Sequence, residues 1–271
     1  MSHSLRARFL AEGRASDCPI YDLHGHWGTL GGLAMPATDP GVARRLLERA
    51  NVRRLVICHH GSLLCPAMGN RANVEAVASM PDLLRAYCAV NGNYPAQIEQ
   101  DVAAFDGLHP QVFVGFKLLS DYHRVPVTDA RCRPAWELAQ ARRLPVLLHT
   151  WGGSAYNGYP AVREVAERYP EARILLGHSL HGEWDRAVEM ARTFPNVYLE
   201  LTAVPDERGP VEKFVREAGS RKVIFGTDFP WFGQNYYIGA LLGAGLDDEA
   251  LRDILYRNAR RLLGETPVEG R

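Results

Sequence analysis

The sequence predicts an α/β fold, a single-domain (β/α)8 TIM barrel, on three observations. Short apolar runs and longer helix-like segments alternate eight times along 271 residues with no break in composition. Most of the runs are continuously apolar, as expected of parallel strands covered on both faces. Several end in histidine or aspartate, and in a parallel barrel the carboxyl ends of all strands converge on one face.

In chain order, a polar leader over residues 1–17 precedes a first strand at 20–24, Ile-Tyr-Asp-Leu-His. Gly28-Thr29-Leu30-Gly31-Gly32 then reads as a flexible loop at the barrel mouth. Helix 40–50 leads to strand 54–58, helix 70–80 to strand 84–90, and helix 96–105 to strand 112–118. Helix 130–143 carries Pro134 near its start, where a helix tolerates it. Strand 145–149, Pro-Val-Leu-Leu-His, follows, then helix 161–169, strand 173–177, helix 183–193 and strand 197–201. Helix 210–218 and strand 222–227 complete the eight strands. A last helix over 247–263 presents Leu251, Ile254, Leu255, Leu262 and Leu263 as an apolar stripe. An open, doubly wound sheet would also alternate in this way. The Gly-x-Gly-x-x-Gly or Walker sequence expected after an early strand of such a sheet is missing.

Lys plus Arg and Asp plus Glu number 31 each, so no charge bias points to nucleic acid or to an anionic membrane. Hydrophobic residues make up 46%, enough for a sizeable core. The five cysteines, Cys18, Cys58, Cys65, Cys88 and Cys132, include no Cys-x-x-Cys pair, so they read as packing residues rather than zinc ligands or disulfides. The first twenty residues lack a continuous apolar run, and no stretch reaches the roughly 18 apolar residues of a membrane span. A cytoplasmic protein is the expectation.

Chemistry concentrates at the strand ends. Side chains two apart on a strand share a face, so His24 and His26 can grip one ion together. His149 closes the fifth strand, His178 the sixth and Asp228 the eighth. Neutral imidazole and carboxylate suit a borderline divalent cation such as zinc. Three protein ligands with an open position lower the pKa of a coordinated water to about 7. The set therefore points to a metal-dependent enzyme.

At these residues the chain resembles the amidohydrolase superfamily, in particular the branch of smaller barrels that includes aminocarboxymuconate semialdehyde decarboxylase. The resemblance runs through Asp22-Leu23-His24-Gly25-His26, Val114-Gly115-Phe116-Lys117-Leu118, Leu147-Leu148-His149-Thr150, Leu176-Gly177-His178, Phe225-Gly226-Thr227-Asp228-Phe229-Pro230 and Asn258-Ala259-Arg260-Arg261-Leu262-Leu263. It implies that His24, His26 and His149 bind the metal, with Asp228 as ligand and proton acceptor. It also implies that His178 polarises substrate or, with two metals, binds the second ion. Lys117 falls where some members carry a carboxylated lysine bridging two ions and others a lysine that pairs with a substrate carboxylate. Relatives often follow Lys-Leu with His-Pro. This chain has Leu119-Ser120, so a fourth-strand histidine is absent. One zinc ion, with Lys117 uncarboxylated and facing the pocket, is the favoured version, with two ions or another divalent metal as alternatives.

Trp151, Trp231 and His123 are candidates for the pocket wall. His59 and His60 can reach the cleft but read mainly as loop packing. Glu200, a carboxylate inside an apolar strand, needs a partner. A bond to a ligand histidine and a salt bridge inside the barrel serve equally well. His109 and His181 receive no role. The leading expectation is a metal-dependent hydrolase in which water, deprotonated by Asp228, attacks an amide, ester or lactone of a small organic substrate. A non-oxidative decarboxylase or hydratase acting on an unsaturated or aromatic acid is the alternative. A barrel that binds without turnover comes last, because the ligand set is complete. A small-molecule partner and a homodimer are expected; a nucleic-acid or membrane partner is not.

Overall fold

A computed structural model of the chain describes residues 4–265; residues 1–3 of the expected leader, and residues 266–271, lie outside them. Eight strands form one sheet in the order β1 to β8: β1 Ile20–Trp27, β2 Val52–His59, β3 Leu84–Val90, β4 Phe113–Leu118, β5 Pro145–Trp151, β6 Arg173–His181, β7 Val197–Glu200 and β8 Val223–Ile224. Every neighbouring pair is parallel. The chain beyond β8 closes the barrel onto β1: Leu23 N donates to Phe225 O at 3.0 Å and Asp228 N to His24 O at 2.8 Å. The fold is the (β/α)8 barrel that the alternation predicts.

Inside the barrel, Tyr21, Leu23, Val56, Tyr87, Val114, Leu147, Leu175 and Ile224 pack into one cluster, plugged by Ala259 and Leu262. The opposite strand faces meet the surrounding helices in the larger core. These helices are α1 Leu5–Glu12, α2 Pro40–Arg49, α3 Pro66–Ser79, α4 Pro95–Leu108, the single turn α5 Ser120–His123, α6 Arg133–Arg142, α7 Tyr159–Arg168, α8 Trp184–Thr193, α9 Pro210–Ala218, α10 Gln234–Gly243, α11 Asp248–Arg252 and α12 Asn258–Leu263. No helix among the described residues is long and apolar enough to cross a membrane. All five cysteines are free thiols.

Four elements differ from the sequence expectation. The polar leader contains α1, because Ser4 caps Ala7 N and Leu5 inserts into the core at 1% exposure. The segment after Asp228, to which the sequence reading assigns no element, forms α10, whose Tyr237, Ile238, Leu241 and Leu242 are buried at helical spacing. The expected last helix is two helices joined by a π-helical turn, Asp253–Arg257. Strand β8 also stops at Ile224 rather than 227, which leaves Phe225 to Phe229 free to wrap onto β1.

A bulge in β1 positions the histidine pair. From Asp22 to Gly25, β1 advances three residues while β2 advances two, Leu55 to Ile57. The extra residue lets a strand re-aim its side chains. Leu23 and His24, though consecutive, therefore both face the barrel interior, the first in the apolar plug and the second among Lys117, Glu200 and Asp228.

Candidate metal centre

His24 and His26 each have Nδ1 committed to an acceptor. His24 Nδ1 lies 2.9 Å from Glu200 Oε2, and His26 Nδ1 lies 3.1 Å from Cys58 O. A carbonyl accepts only, so His26 carries a hydrogen on Nδ1, and its Nε2 is the atom that faces Asp228. The carboxylate imposes the same tautomer on His24. Burial and then the charge of Lys117 push the His24 pKa well below its usual value, so the ring is neutral.

Both Nε2 atoms confront Asp228, at 3.4 Å from His24 and 3.0 Å from His26 to the same Oδ1. That oxygen is buried and accepts no hydrogen bond. Ligand atoms of His24, His26 and Asp228 all lie within 4.8 Å of one another. The Asp228 carboxylate thus meets two imidazole nitrogens, and positive charge there, a proton or a metal ion, favours the contact, with Lys117 Nζ already 2.9 Å from His24 Nε2. Burial works to raise the Asp228 carboxyl, whereas positive charge on a neighbouring imidazole, where it is protonated, pulls the carboxyl well below its usual range. The donor set, two imidazoles and a carboxylate, fits a divalent ion.

Glu200 is the hub beneath the cluster. Its Oε2 accepts from His24 Nδ1 and, at 3.0 Å, from His178 N; its Oε1 accepts from Thr202 N at 2.8 Å and Thr202 Oγ1 at 2.6 Å. The bond to His24, rather than a salt bridge to a cation, is the partner this carboxylate takes. Gly226 makes room for it, since a Cβ there would lie 1.9 Å from Glu200 Oε1. Asp22, wholly buried, ties β1 to the closing segment by accepting from His24 N, Thr227 Oγ1 and Gln234 Nε2. The sequence reading gave neither Asp22 nor Gln234 a role, although an aspartate in an apolar strand carries the same signal as Glu200.

His178 and Asp228 both adopt left-handed backbone, with φ of 65° and 63°. Ser179 and Leu180 continue the left-handed run at 47° and 53°. Such non-glycine residues cost on the order of 1–3 kcal/mol each. The run is held by His178 N to Glu200, Ser179 Oγ to Glu200 O and Leu180 N to Thr150 Oγ1.

His149 is set slightly apart: its Nδ1 lies 3.0 Å from His178 Nε2, with the rings edge to face, and it is not within the tight group of three. Burial lowers the pKa of both rings, that of His178 to about 3. The buried Nδ1 of His178 has no hydrogen-bond partner.

Above the cluster opens a cavity of about 430 Å³. His26, His149 and Asp228 form its base, Leu30, Leu63 and Leu119 its aliphatic side, and Tyr122, Trp231, Phe232 and His60 its aromatic side. A hollow of similar volume, 420 Å³, lined by residues of α9 and α10, contains no histidine.

Trp231 lines the cavity, whereas Trp151 is not among the lining residues and lies 40% exposed, stacked on His181. His123 does not reach the cavity; its Nε2 meets Ser62 O at 3.0 Å, which ties the loop after β4 to that after β2. Lys117 does not face the cavity either. It is wholly buried, with Nζ 2.9 Å from His24 Nε2, because the strand-end position points its chain into the barrel beneath the histidines. His60, read mainly as loop packing, lies in the cavity wall. His59 is a packing residue, accepting from Gly61 N.

A family model described as amidohydrolase matches residues 63–264. An uncharacterised TIM-barrel protein from Bordetella bronchiseptica is similar at 16% identity, with 91% of this chain and 99% of that one covered and a TM-score of 0.74. A 2,6-dihydroxybenzoate decarboxylase from Rhizobium is similar at 15% identity, with the same coverage and a TM-score of 0.72. A dihydroxybenzoic acid decarboxylase from Polaromonas, with bound manganese and the inhibitor 2-nitroresorcinol, is similar at 16% identity over 93% of this chain and 98% of that one, with a TM-score of 0.68. These likenesses bear on the fold. No curated protein matches the sequence.

Proposed function

The chain belongs to the amidohydrolase family of metal-dependent barrel enzymes, and from that premise we propose a hydrolase acting on an amide, ester or lactone of a small ring-bearing molecule. His24, His26 and Asp228 hold the ion, and His149, which lines the same cavity, is the candidate fourth donor. The carrying observation is the buried Asp228 Oδ1, which has no hydrogen-bond partner and lies 3.0 Å from His26 Nε2 and 3.4 Å from His24 Nε2. A divalent ion bound there supplies Lewis-acid polarisation of a substrate oxygen and acidification of water.

The residues supply the rest. Asp228, at the base of the cavity, takes the proton of the attacking water and returns it to the leaving group. When His149 donates from Nδ1, His178 accepts at Nε2 and carries its hydrogen on the unpartnered Nδ1, a buried donor outside the cavity lining. The same tautomer leaves His149 Nε2 unprotonated, the form a ligand needs. Tyr122, Trp231 and Phe232 offer ring faces that suit a flat, mainly apolar substrate. Zinc is the ion proposed. Manganese, present in the Polaromonas decarboxylase, suits a nitrogen and oxygen donor set as well.

Non-oxidative decarboxylation of an aromatic acid is the second reading. The decarboxylases among the similar structures and the aromatic wall of the cavity favour it. Its weak point is Lys117, which is sealed beneath His24 and so is not the anchor for a substrate carboxylate that the sequence suggested. The two readings separate in one assay. Metal-loaded protein is incubated in oxygen-18 water with aromatic esters, lactones, amides and hydroxybenzoic acids. Heavy oxygen in an acid product supports hydrolysis; release of carbon dioxide without it sinks hydrolysis and supports the second reading.

A further inference from the structure

His60 joins three loops at the cavity wall. It opens the 3-10 turn His60–Leu63 after β2 and is 2% exposed. Its Nδ1 lies 2.8 Å from Gly28 O in the loop after β1, and its Nε2 lies 3.1 Å from Trp231 Nε1 in the loop after β8. A carbonyl can only accept and an indole N–H can only donate. Both bonds therefore form only when His60 is neutral with its hydrogen on Nδ1.

The ring also lies against a ligand. His60 and His26 are parallel, with centroids 5.0 Å apart and planes 9° from each other. His24 is gripped by Glu200, Lys117 and Asp228, whereas His26 meets Cys58 O at Nδ1 and Asp228 at Nε2 only along its edge, and the His60 stack is the contact on its face. Trp231 in turn is linked to Asp228, because Trp231 N donates to Asp228 O at 2.9 Å. The circuit runs from His26 through His60 and Trp231 to Asp228, so it begins and ends on residues of the donor cluster.

We propose that His60 is a positioning residue that sets the plane of His26 and locks Trp231 as the apolar wall of the cavity. Its hydrogen bond consumes the indole N–H, so that Trp231 offers substrate a ring face. The effect on His26 rests on the metal-centre reading above; the hold on Trp231 does not.

The test uses protein labelled with nitrogen-15 at tryptophan, with Trp231→Phe assigning the Trp231 indole signal. Three variants divide the role. His60→Ala removes stack and hydrogen bonds, His60→Phe keeps only a ring, and His60→Gln can donate to Gly28 O and accept from Trp231. In chelated protein, the Ala and Phe variants should shift the Trp231 indole N–H and speed its exchange with solvent, and Gln should restore it. In competition with a chelator, zinc should bind about 10-fold more weakly to His60→Ala, the scale of a lost partner behind a ligand, and Phe should recover part of that loss. A Trp231 signal unmoved by Ala and Phe, or a zinc affinity within twofold of wild type in His60→Ala, would overturn the proposal. If the Ala variant does not fold, the Phe and Gln pair makes the same comparison. A wild-type chain that binds no zinc sinks the metal centre and the proposed hold on His26, while the indole signal still decides whether His60 holds Trp231.

Discussion

Glu200→Gln separates packing from chemistry at the residue scale. The carboxylate fixes the His24 tautomer and braces the left-handed backbone at His178, so an amide of equal size should preserve the fold while weakening metal binding about 10- to 100-fold. Chelator competition on the purified variant checks this, and an unchanged affinity would reduce Glu200 to a buried structural acid. Asp228→Asn should keep the barrel and lower turnover by about 100-fold or more, the usual scale of a lost proton carrier. Near-normal turnover would remove Asp228 from the chemistry. The pair His24 and His26 is legible in the sequence because a two-residue spacing has a physical meaning on a strand. Lone residues are not so readable. His60 and Asp22 become meaningful only when distant loops and strands bring their partners, and Lys117 looks like a pocket residue until the depth of its strand is known.

At the scale of elements, parallel strands covered on both faces announce themselves as apolar runs, which is why β2 to β7 fall close to their expected positions. Helix α10 escaped because its buried Tyr237, Ile238, Leu241 and Leu242 are interleaved with or preceded by the exposed aromatics Trp231, Phe232 and Tyr236, which blur the helical period. The bulge in β1 is invisible in sequence, since an extra residue in a strand changes pairing without changing composition. Close approach is equally hidden. Gly226→Ala would place a methyl group on the Glu200 carboxylate, and should lower the thermal midpoint and displace the hub together. A variant as stable as wild type with full metal affinity would mean the closing segment is looser than it looks. Leu241→Ala, at a fully buried position of α10, should cost about 2–5 kcal/mol in denaturant unfolding, whereas a loop residue would cost little.

Over the whole molecule, the barrel separates an apolar plug at one end from the donor cluster and its cavity at the other. That division follows from strand polarity and explains why the sequence could assign the function class without the substrate, which depends on loop contacts such as those of Tyr122 and Phe232. It also bears on the thiols. Burial raises Cys18 to about 12 and Cys132 to about 11, and raises Cys58 and Cys88 as well, while Cys65 is half-buried. Native protein should therefore offer a thiol reagent one fast-reacting cysteine, and all five only after denaturation. Several fast thiols in the native state would show that the core opens readily.

The most direct measurement is metal content per chain, by elemental mass spectrometry on protein purified without a histidine tag, for wild type beside the double variant His24→Ala, His26→Ala. One divalent ion per wild-type chain and none in the folded double variant is the expected result. No metal in wild type, with none regained on reconstitution, or an undiminished content in the double variant, would contradict the centre described here.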